Sequence, residues 1–226
     1  MTNFRITVTS DTICPWCYVG RKQLIAAETL YHELHPSSGD TFSVNYMPYM
    51  LLPDWPRGPA GAQDKQEAYI QRFGPERVKM MHQRLRVVGK ETGIDFKFGG
   101  RTGNTRDSHR LVWLAKKYSP EIESKTIDEL FKSYFEKEGD ITDLETLRAI
   151  ASTVGIPDAD FQKAIVDSDE CGKEVDRAIL HVQMKGVSSV PNYLVQGKYQ
   201  LDGARDPKTF VGIFEKIKEL ESKSVG

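Results

Sequence analysis

Two cysteines, Cys14 and Cys17, enclose Pro15 and Trp16 close to the start of the chain. A thiol pair at this spacing can close a small disulfide loop and exchange it with other disulfides. Ahead of the pair, Phe4, Ile6 and Val8 alternate with Arg5, Thr7 and Thr9, the period of a strand that ends at Ser10-Asp11. Behind it, Tyr18 to about Leu34 reads as a helix with Leu24, Ala27, Tyr31 and Leu34 facing a core, stopped at Pro36-Ser37-Ser38-Gly39. The pair therefore sits where a strand hands over to a helix. Cys14 falls in the N-cap region, and Pro15 suits the first helical position. Free backbone N–H groups and the positive end of the helix dipole stabilise a thiolate there, and the thiolate is the nucleophile. Cys17, about one turn further in, is expected to be more buried. Cys14 is accordingly the expected attacking thiol and Cys17 the thiol that resolves a mixed disulfide.

A zinc site is the alternative use of such a pair. Zinc wants a second pair of ligands; His32 and His35 are too closely spaced, and the remaining thiol, Cys171, is solitary. Cys171 shares an apolar stripe with Val175, Ala178, Ile179 and Val182, so it is expected to be a core thiol. His109 is the histidine best placed to line a cleft, either tuning the thiolate or contacting substrate. Phe73, Met80 and Met81 are expected to fill core.

The elements that must position these residues follow from periodicity. Phe42, Val44 and Tyr46 form a second strand, and the β-α-β order predicts that it runs parallel to the first. Met50 to Ala62, rich in proline and glycine, reads as a long loop. Four apolar stripes follow at helical spacing: Val78-Met81-Leu85-Val88, Leu111-Leu114-Ala115-Tyr118, Ile127-Leu130-Phe131-Tyr134-Phe135 and Leu144-Leu147-Ala151-Val154. Val190-Pro191 then precedes a hairpin of Tyr193–Val195 and Tyr199–Leu201. A last helix carries Phe210, Ile213, Phe214, Ile217 and Leu220, and its Lys/Glu-rich end from Lys216 to Lys223 reads as a solvated face.

Composition narrows the function classes. The 226 residues include 31 Lys plus Arg and 32 Asp plus Glu, for a net charge of −1, which provides no basic field for nucleic acid. With 39% hydrophobic and 28% charged residues, the chain has the makeup of a globular domain. No apolar run is long enough to span a membrane. Three cysteines, an odd count, do not suit a secreted disulfide framework, and the start lacks the regions of a secretory signal. The expected compartment is the cytoplasm, although a mature chain freed of its signal reads the same.

The segment from Ser10 to Gly20, SDTICPWCYVG, resembles the opening of the DSBA-like thioredoxin family, in particular its FrnE-type branch. Asn104 to Ala115 resembles that branch's Asn-x(3–4)-His-Arg-Leu segment, and Gly186 to Pro191 its Gly-Val-x-x-Val-Pro segment. The resemblance implies an α/β thioredoxin-like fold, residues 1–62 and 170–226, with an all-helical domain, residues 63–169, inserted between its halves. It also implies thiol–disulfide oxidoreductase activity with no required cofactor. Cys14 and Cys17 would be the catalytic pair, and Pro191 a cis-proline. Pro15, Trp16, Val190, Asn104 and His109 would lie on the substrate side. Implied partners are disulfide-containing proteins or glutathione as co-substrate, with a homodimer left open. Pro15-Trp16 departs from the Pro-His of strongly oxidising members, and Arg205 stands where relatives commonly carry Gln. Kappa-class glutathione transferases and 2-hydroxychromene-2-carboxylate isomerases share the fold but typically carry Ser at the first cysteine position. A glutathione-dependent transferase or isomerase is thus the second reading, and a non-catalytic binding module the third.

Overall fold

The computed structural model describes residues 1–224. The first strand, β1 (Asn3–Ser10), is central in a four-stranded sheet of order β2-β1-β5-β6. β2 (Thr41–Pro48) runs parallel to β1, from Asn3 opposite Thr41 to Ser10 opposite Pro48. β5 (Asn192–Val195) runs antiparallel to β1, with Val8 opposite Tyr193, and β6 (Tyr199–Asp202) closes the hairpin. Gln196 and Gly197 both take positive φ, as a tight turn between right-twisted strands requires. The expected parallel β-α-β unit and late hairpin are both present.

Alternation along β1 sends Phe4, Ile6 and Val8 to one face of the sheet. Two helices cover that face: α1 (Pro15–Leu34) and α9 (Pro207–Ser224). Phe4 packs against Tyr31 of α1 at 5.1 Å and Phe214 of α9 at 5.0 Å, while Tyr193 meets Phe210 at 4.9 Å. Leu24, Ala27 and Tyr31 are buried as the helical spacing predicts, but Leu34 is 55% exposed, because the helix ends there beyond the edge of its neighbours. Leu220 and Tyr118 likewise lie at exposed helix ends.

Between β2 and β5 the chain builds α2 (Lys65–Phe73), α3 (Pro75–Thr92), α4 (Arg106–Lys116), α5 (Pro120–Glu136), α6 (Leu144–Thr153), α7 (Asp158–Phe161) and α8 (Gly172–Met184). A two-residue ribbon, β3 (Gln63–Asp64) with β4 (Arg101–Thr102), interrupts the helical block; strands this short leave no periodicity to read. Asp64, Ser119 and Asp143 cap α2, α5 and α6, each accepting a backbone N–H, a contact typically worth about 1 kcal/mol. Cys171 is buried, as expected, but stands at the cap of α8 with φ 65° rather than inside the helix.

α1 is fastened to the helical block one turn after the cysteines. Tyr18 stacks on Phe131 at 5.0 Å and donates to Glu136 at 2.5 Å. Arg21 makes a two-pronged pair with Asp128 at 2.9 and 2.8 Å. This seam holds the start of α1 between the sheet and the helices. The fold is thus thioredoxin-like with a helical insertion.

Opposite the seam, Asp40 ties the termini together. It is buried, accepts the Thr2 amide at 2.7 Å and the Tyr31 hydroxyl at 2.8 Å, and pairs with Lys218 of α9. Burial alone would raise its carboxyl; Lys218, the Thr2 N–H and the Tyr31 hydroxyl more than reverse that and hold it well below the usual carboxylate range. A carboxyl depressed in the folded state contributes stability above its unfolded value, about 3.9, and that stability is lost as pH falls through the folded value. Urea unfolding at pH 7 and pH 3 is therefore expected to show Asp40→Asn costing roughly 2 kcal/mol at pH 7 and less at pH 3. An equal cost at both would exclude the carboxylate as the source.

Candidate active site

The turn after β1 delivers Cys14 to the N-cap of α1. The Cys14 N–H donates to Asp11 O at 3.1 Å, and Cys14 is extended, with φ −88° and ψ 115°. Pro15 opens the helix, where its missing N–H costs nothing. The Cys17 and Tyr18 amides donate to Cys14 O at 3.1 and 3.3 Å. The helix thus starts at Pro15, ahead of the Tyr18 expected from the apolar pattern, and Cys14 stands at the positive end of its dipole.

All three cysteines are free thiols. Cys14 is 5% and Cys17 3% exposed, yet their surroundings differ. The Cys14 thiol donates to Val190 O at 3.7 Å, and the Val190–Pro191 peptide bond is cis. Burial pushes the Cys17 thiol well above its ordinary value. Its contact with Cys14, both as hydrogen-bond partner and as neighbouring charge, pushes the same way, against smaller lowering contributions from Ser10 and the Asp11 backbone.

Cys14, Pro15 and Trp16 open onto an apolar cavity of about 180 Å³. Leu51, Leu52 and Trp55 supply one wall from the loop after β2, and Tyr69, Phe73 and Met81 another from α2 and α3. Phe73 and Met81 therefore line the cavity beside the thiol instead of filling core, and Met80 is 61% exposed. Burial, with Cys14 and Asp11 nearby, pushes the Tyr69 hydroxyl up to about 12; the Tyr134 hydroxyl it meets acts the other way.

The structure brings Pro15, Trp16 and Val190-Pro191 to Cys14, but places Asn104 and His109 behind the walls. The Asn104 amide donates to Trp55 O at 2.8 Å, and its Oδ1 accepts the Arg106 N–H at 2.9 Å. His109 is buried; its Nε2 lies 2.9 Å from Tyr49 O, and since a carbonyl only accepts, Nε2 carries the hydrogen. The same nitrogen is 3.6 Å from Asp11 Oδ1, and Asp11 Oδ2 accepts the Leu51 N–H at 2.6 Å. Asp11, three residues ahead of Cys14, reads in the sequence only as the end of a strand. A carboxylate at a strand end signals only a turn until its distant partners are known.

Beneath α1, Tyr46, Val8 and Tyr193 lie in register across three strands. Both tyrosine hydroxyls are buried without a protein hydrogen-bond partner. A Cβ on Gly20 would collide with the Tyr193 hydroxyl and press on Pro191 Cγ at 3.1 Å. Tyr193→Phe is expected to stabilise the fold by about 1 kcal/mol, since an unpaired buried hydroxyl carries its full desolvation cost. Gly20→Ala is expected to cost about 1–3 kcal/mol, and less in the Tyr193→Phe background. Equal costs in both backgrounds by urea unfolding would exclude the hydroxyl as the obstacle.

Among the described residues, no group of three His, Cys, Asp or Glu side chains is arranged to hold a metal, and no helix is long and apolar enough to cross a membrane. The sequence model of the DSBA-like thioredoxin domain matches residues 5–215. The chain belongs to the DSBA-like thioredoxin domain family. This is a family of thiol–disulfide oxidoreductases. Among curated proteins, the DSBA-like chain is 23% identical over 209 residues to the uncharacterized protein YwbO of Bacillus subtilis (strain 168), covering 91% of this chain and 92% of that one. A solved structure of a probable DsbA oxidoreductase, SCO1869 of Streptomyces coelicolor, superposes with TM-score 0.82 at 22% identity, covering 94% of this chain and 89% of that one. The cytosolic disulfide reductase DsbM of Pseudomonas aeruginosa, solved with GSH, superposes with TM-score 0.61 at 12% identity, covering 95% and 99%.

Proposed function

We propose that this DSBA-like chain exchanges disulfides through Cys14 and Cys17, acting on protein or small-molecule disulfides in the cytoplasm. The observation that carries the reading is the asymmetry of the pair. Cys14 stands at a helix N-terminus on the rim of a cavity, its thiol against the Val190 carbonyl, while Cys17 is buried behind it. Cys14 as thiolate attacks a substrate disulfide, forms a mixed disulfide and releases one substrate thiolate. Bonding of the Cys14 sulfur removes two of the influences that keep Cys17 protonated, its charge and its hydrogen bond. Cys17 then loses its proton, attacks the Cys14 sulfur and releases the second substrate thiolate. The substrate disulfide gains two electrons and the protein dithiol becomes a disulfide; run backwards, the same steps oxidise a substrate.

Val190 offers backbone beside Cys14 for a bound chain, Pro191, whose carbonyl accepts the Gly203 N–H at 2.8 Å, fixes that backbone in place, and Pro15 and Trp16 shape the mouth. Asn104 and His109 act through the walls they hold, Trp55 and Tyr49-Leu51. Glutathione is the proposed co-substrate that returns the pair to its starting state. The likeness to a disulfide reductase solved with GSH supports this partner through the shared fold.

Equilibration in buffers of stepped reduced-to-oxidised glutathione ratio, followed by alkylation and peptide mass analysis, tests the proposal. Cys14 and Cys17 are expected to oxidise together in one two-electron transition while Cys171 stays reduced. A pair that remains dithiol at every ratio would overturn it.

A further inference from the structure

The wall of the cavity contributed by α2 and α3 has a charge unlike that of the chain as a whole. Between Lys65 and Lys90 there are seven basic and two acidic residues, in a protein of net charge −1. Three of these cations stand at the aromatic rim of the cavity. The Arg84 guanidinium lies 4.9 Å over the Trp16 ring, and those of Arg72 and Arg77 lie 5.4 and 5.8 Å from the centre of the Phe73 ring. Trp16, Phe73 and Arg72 all line the cavity. All three arginines are exposed, and among the described residues none forms an ion pair with a carboxylate. Elsewhere, Arg57 of the preceding loop and Arg106 and Arg110 of α4 are each bonded to Asp107, Asp169 or Asp176. The cations at the mouth are held over ring faces, with donors left over for an anion.

The cavity itself is small and mainly apolar. Its roughly 180 Å³ is close to the ~150 Å³ apolar cavity that accepts one benzene ring. A ring-sized apolar group enters it directly beside the Cys14 sulfur. Arg72 lines the cavity, and Arg77 and Arg84 lie over Phe73 and Trp16, two of the rings that line it.

We propose that this site selects anionic disulfides whose reacting half carries a single ring-sized apolar group, with Arg72, Arg77 and Arg84 as the specificity-determining residues. The inference rests on the thiol–disulfide exchange proposed above. The reaction is unchanged: Cys14 bonds to one substrate sulfur, the other leaves as thiolate, and Cys17 completes the two-electron reduction. The arginines raise the local concentration of the anion and hold it while the ring is seated.

Stopped-flow reaction of the reduced, full-length protein with two aromatic disulfides tests this. One is 5,5′-dithiobis(2-nitrobenzoate), with a carboxylate on each ring; the other is 4,4′-dithiodipyridine, with neutral rings of the same size. Each rate constant is divided by that for dithiothreitol, to remove intrinsic reactivity. The anionic-to-neutral ratio is expected to be about tenfold at low ionic strength and to fall with added salt. In Arg72→Gln/Arg84→Gln the ratio is expected to approach one. Arg86→Gln serves as a control for net charge, because Arg86 stacks on Phe98 away from the cavity; it is expected to leave the ratio in place. A wild-type ratio near one, or a ratio that the double variant does not lower, overturns the proposal. A second arm compares cystine peptides flanked by Phe and Glu with those flanked by Phe and Lys. Preference for the Glu peptide assigns protein segments as the source, and discrimination confined to the small disulfides assigns metabolite-sized ones. If neither aromatic disulfide reacts in a manner lost in Cys14→Ser, the exchange reading fails first, and that result is distinct from a flat ratio.

Discussion

Cys14→Ser is expected to reduce turnover of disulfide substrates to background, a loss on the order of 10³-fold or more, as when other covalent nucleophiles are removed. Serine keeps the size and the helix cap but supplies no thiolate. Cys17 does not substitute for it, because it is buried behind position 14 and that burial, the largest of the influences on its thiol, still holds it in its protonated form. Cys17→Ser is expected to behave differently. Cys14 still attacks, but with no resolving thiol the mixed disulfide accumulates, about one substrate half per chain, visible as a mass increase that dithiothreitol reverses. Insulin reduction or glutathione-disulfide turnover reads the first variant, and intact mass reads the second. Unchanged turnover in Cys14→Ser would remove the proposed mechanism. Glutathione-dependent conversion of an organic electrophile that survives Cys17→Ser would instead favour the transferase or isomerase reading, which needs only the first position.

Arg110→Met is expected to be the most damaging substitution for stability. Arg110 is 2% exposed, and its guanidinium is fully engaged. It pairs with Asp107 at 2.8 Å and donates to Ala164 O and Ser168 O at 2.7 Å and to Ile165 O and Glu170 O at 3.3 Å. Those carbonyls belong to the wide helical turn Gln162–Val166 and to the segment leading into α8. Methionine fills much of the volume but leaves a nearly buried carboxylate and several carbonyls short of a donor. Removing one partner from a buried charge network costs about 3–5 kcal/mol. For a chain of this length that corresponds to a fall in Tm of roughly 10–15 °C. Thermal unfolding by circular dichroism measures it, with Arg110→Lys expected to fall in between. A shift within about 3 °C of zero would show that water replaces the guanidinium.

The two predictions differ in how far their residues could be read in advance. Cys14 and Cys17 are legible because their chemistry is local. A strand, a turn, a proline and a helix start lie within a few residues, and the cap geometry follows from them. Arg110 is visible in the sequence only as part of a motif resemblance. Its partners lie in a later segment, and the wide turn they form breaks the helical period that would have announced it. His109 and Asn104 were legible as notable residues but not as wall supports, since their contacts are backbone carbonyls that any residue can offer.

The cavity shows the same divide more sharply. Phe73 and Met81 sit at helical spacing, and periodicity says only that a face is apolar. Whether that face meets another apolar face, and becomes core, or meets an opening beside a thiol depends on the helix packed against it. Tertiary structure decided this, by fastening α1 to α5 through Tyr18 and Arg21 and bringing Trp55, Phe73 and Met81 around Cys14. It also left Arg72, Arg77 and Arg84 over aromatic rings while other arginines of the block found carboxylates. By itself the sequence determined the cysteine pair and its place at a helix start, the helix that presents it, the parallel strands on either side and the late hairpin, because each is set by hydrogen bonding and packing between near neighbours. The shape and charge of the space in front of the thiol were decided only by the fold, because they arise from segments that meet solely after the helical block has closed over α1.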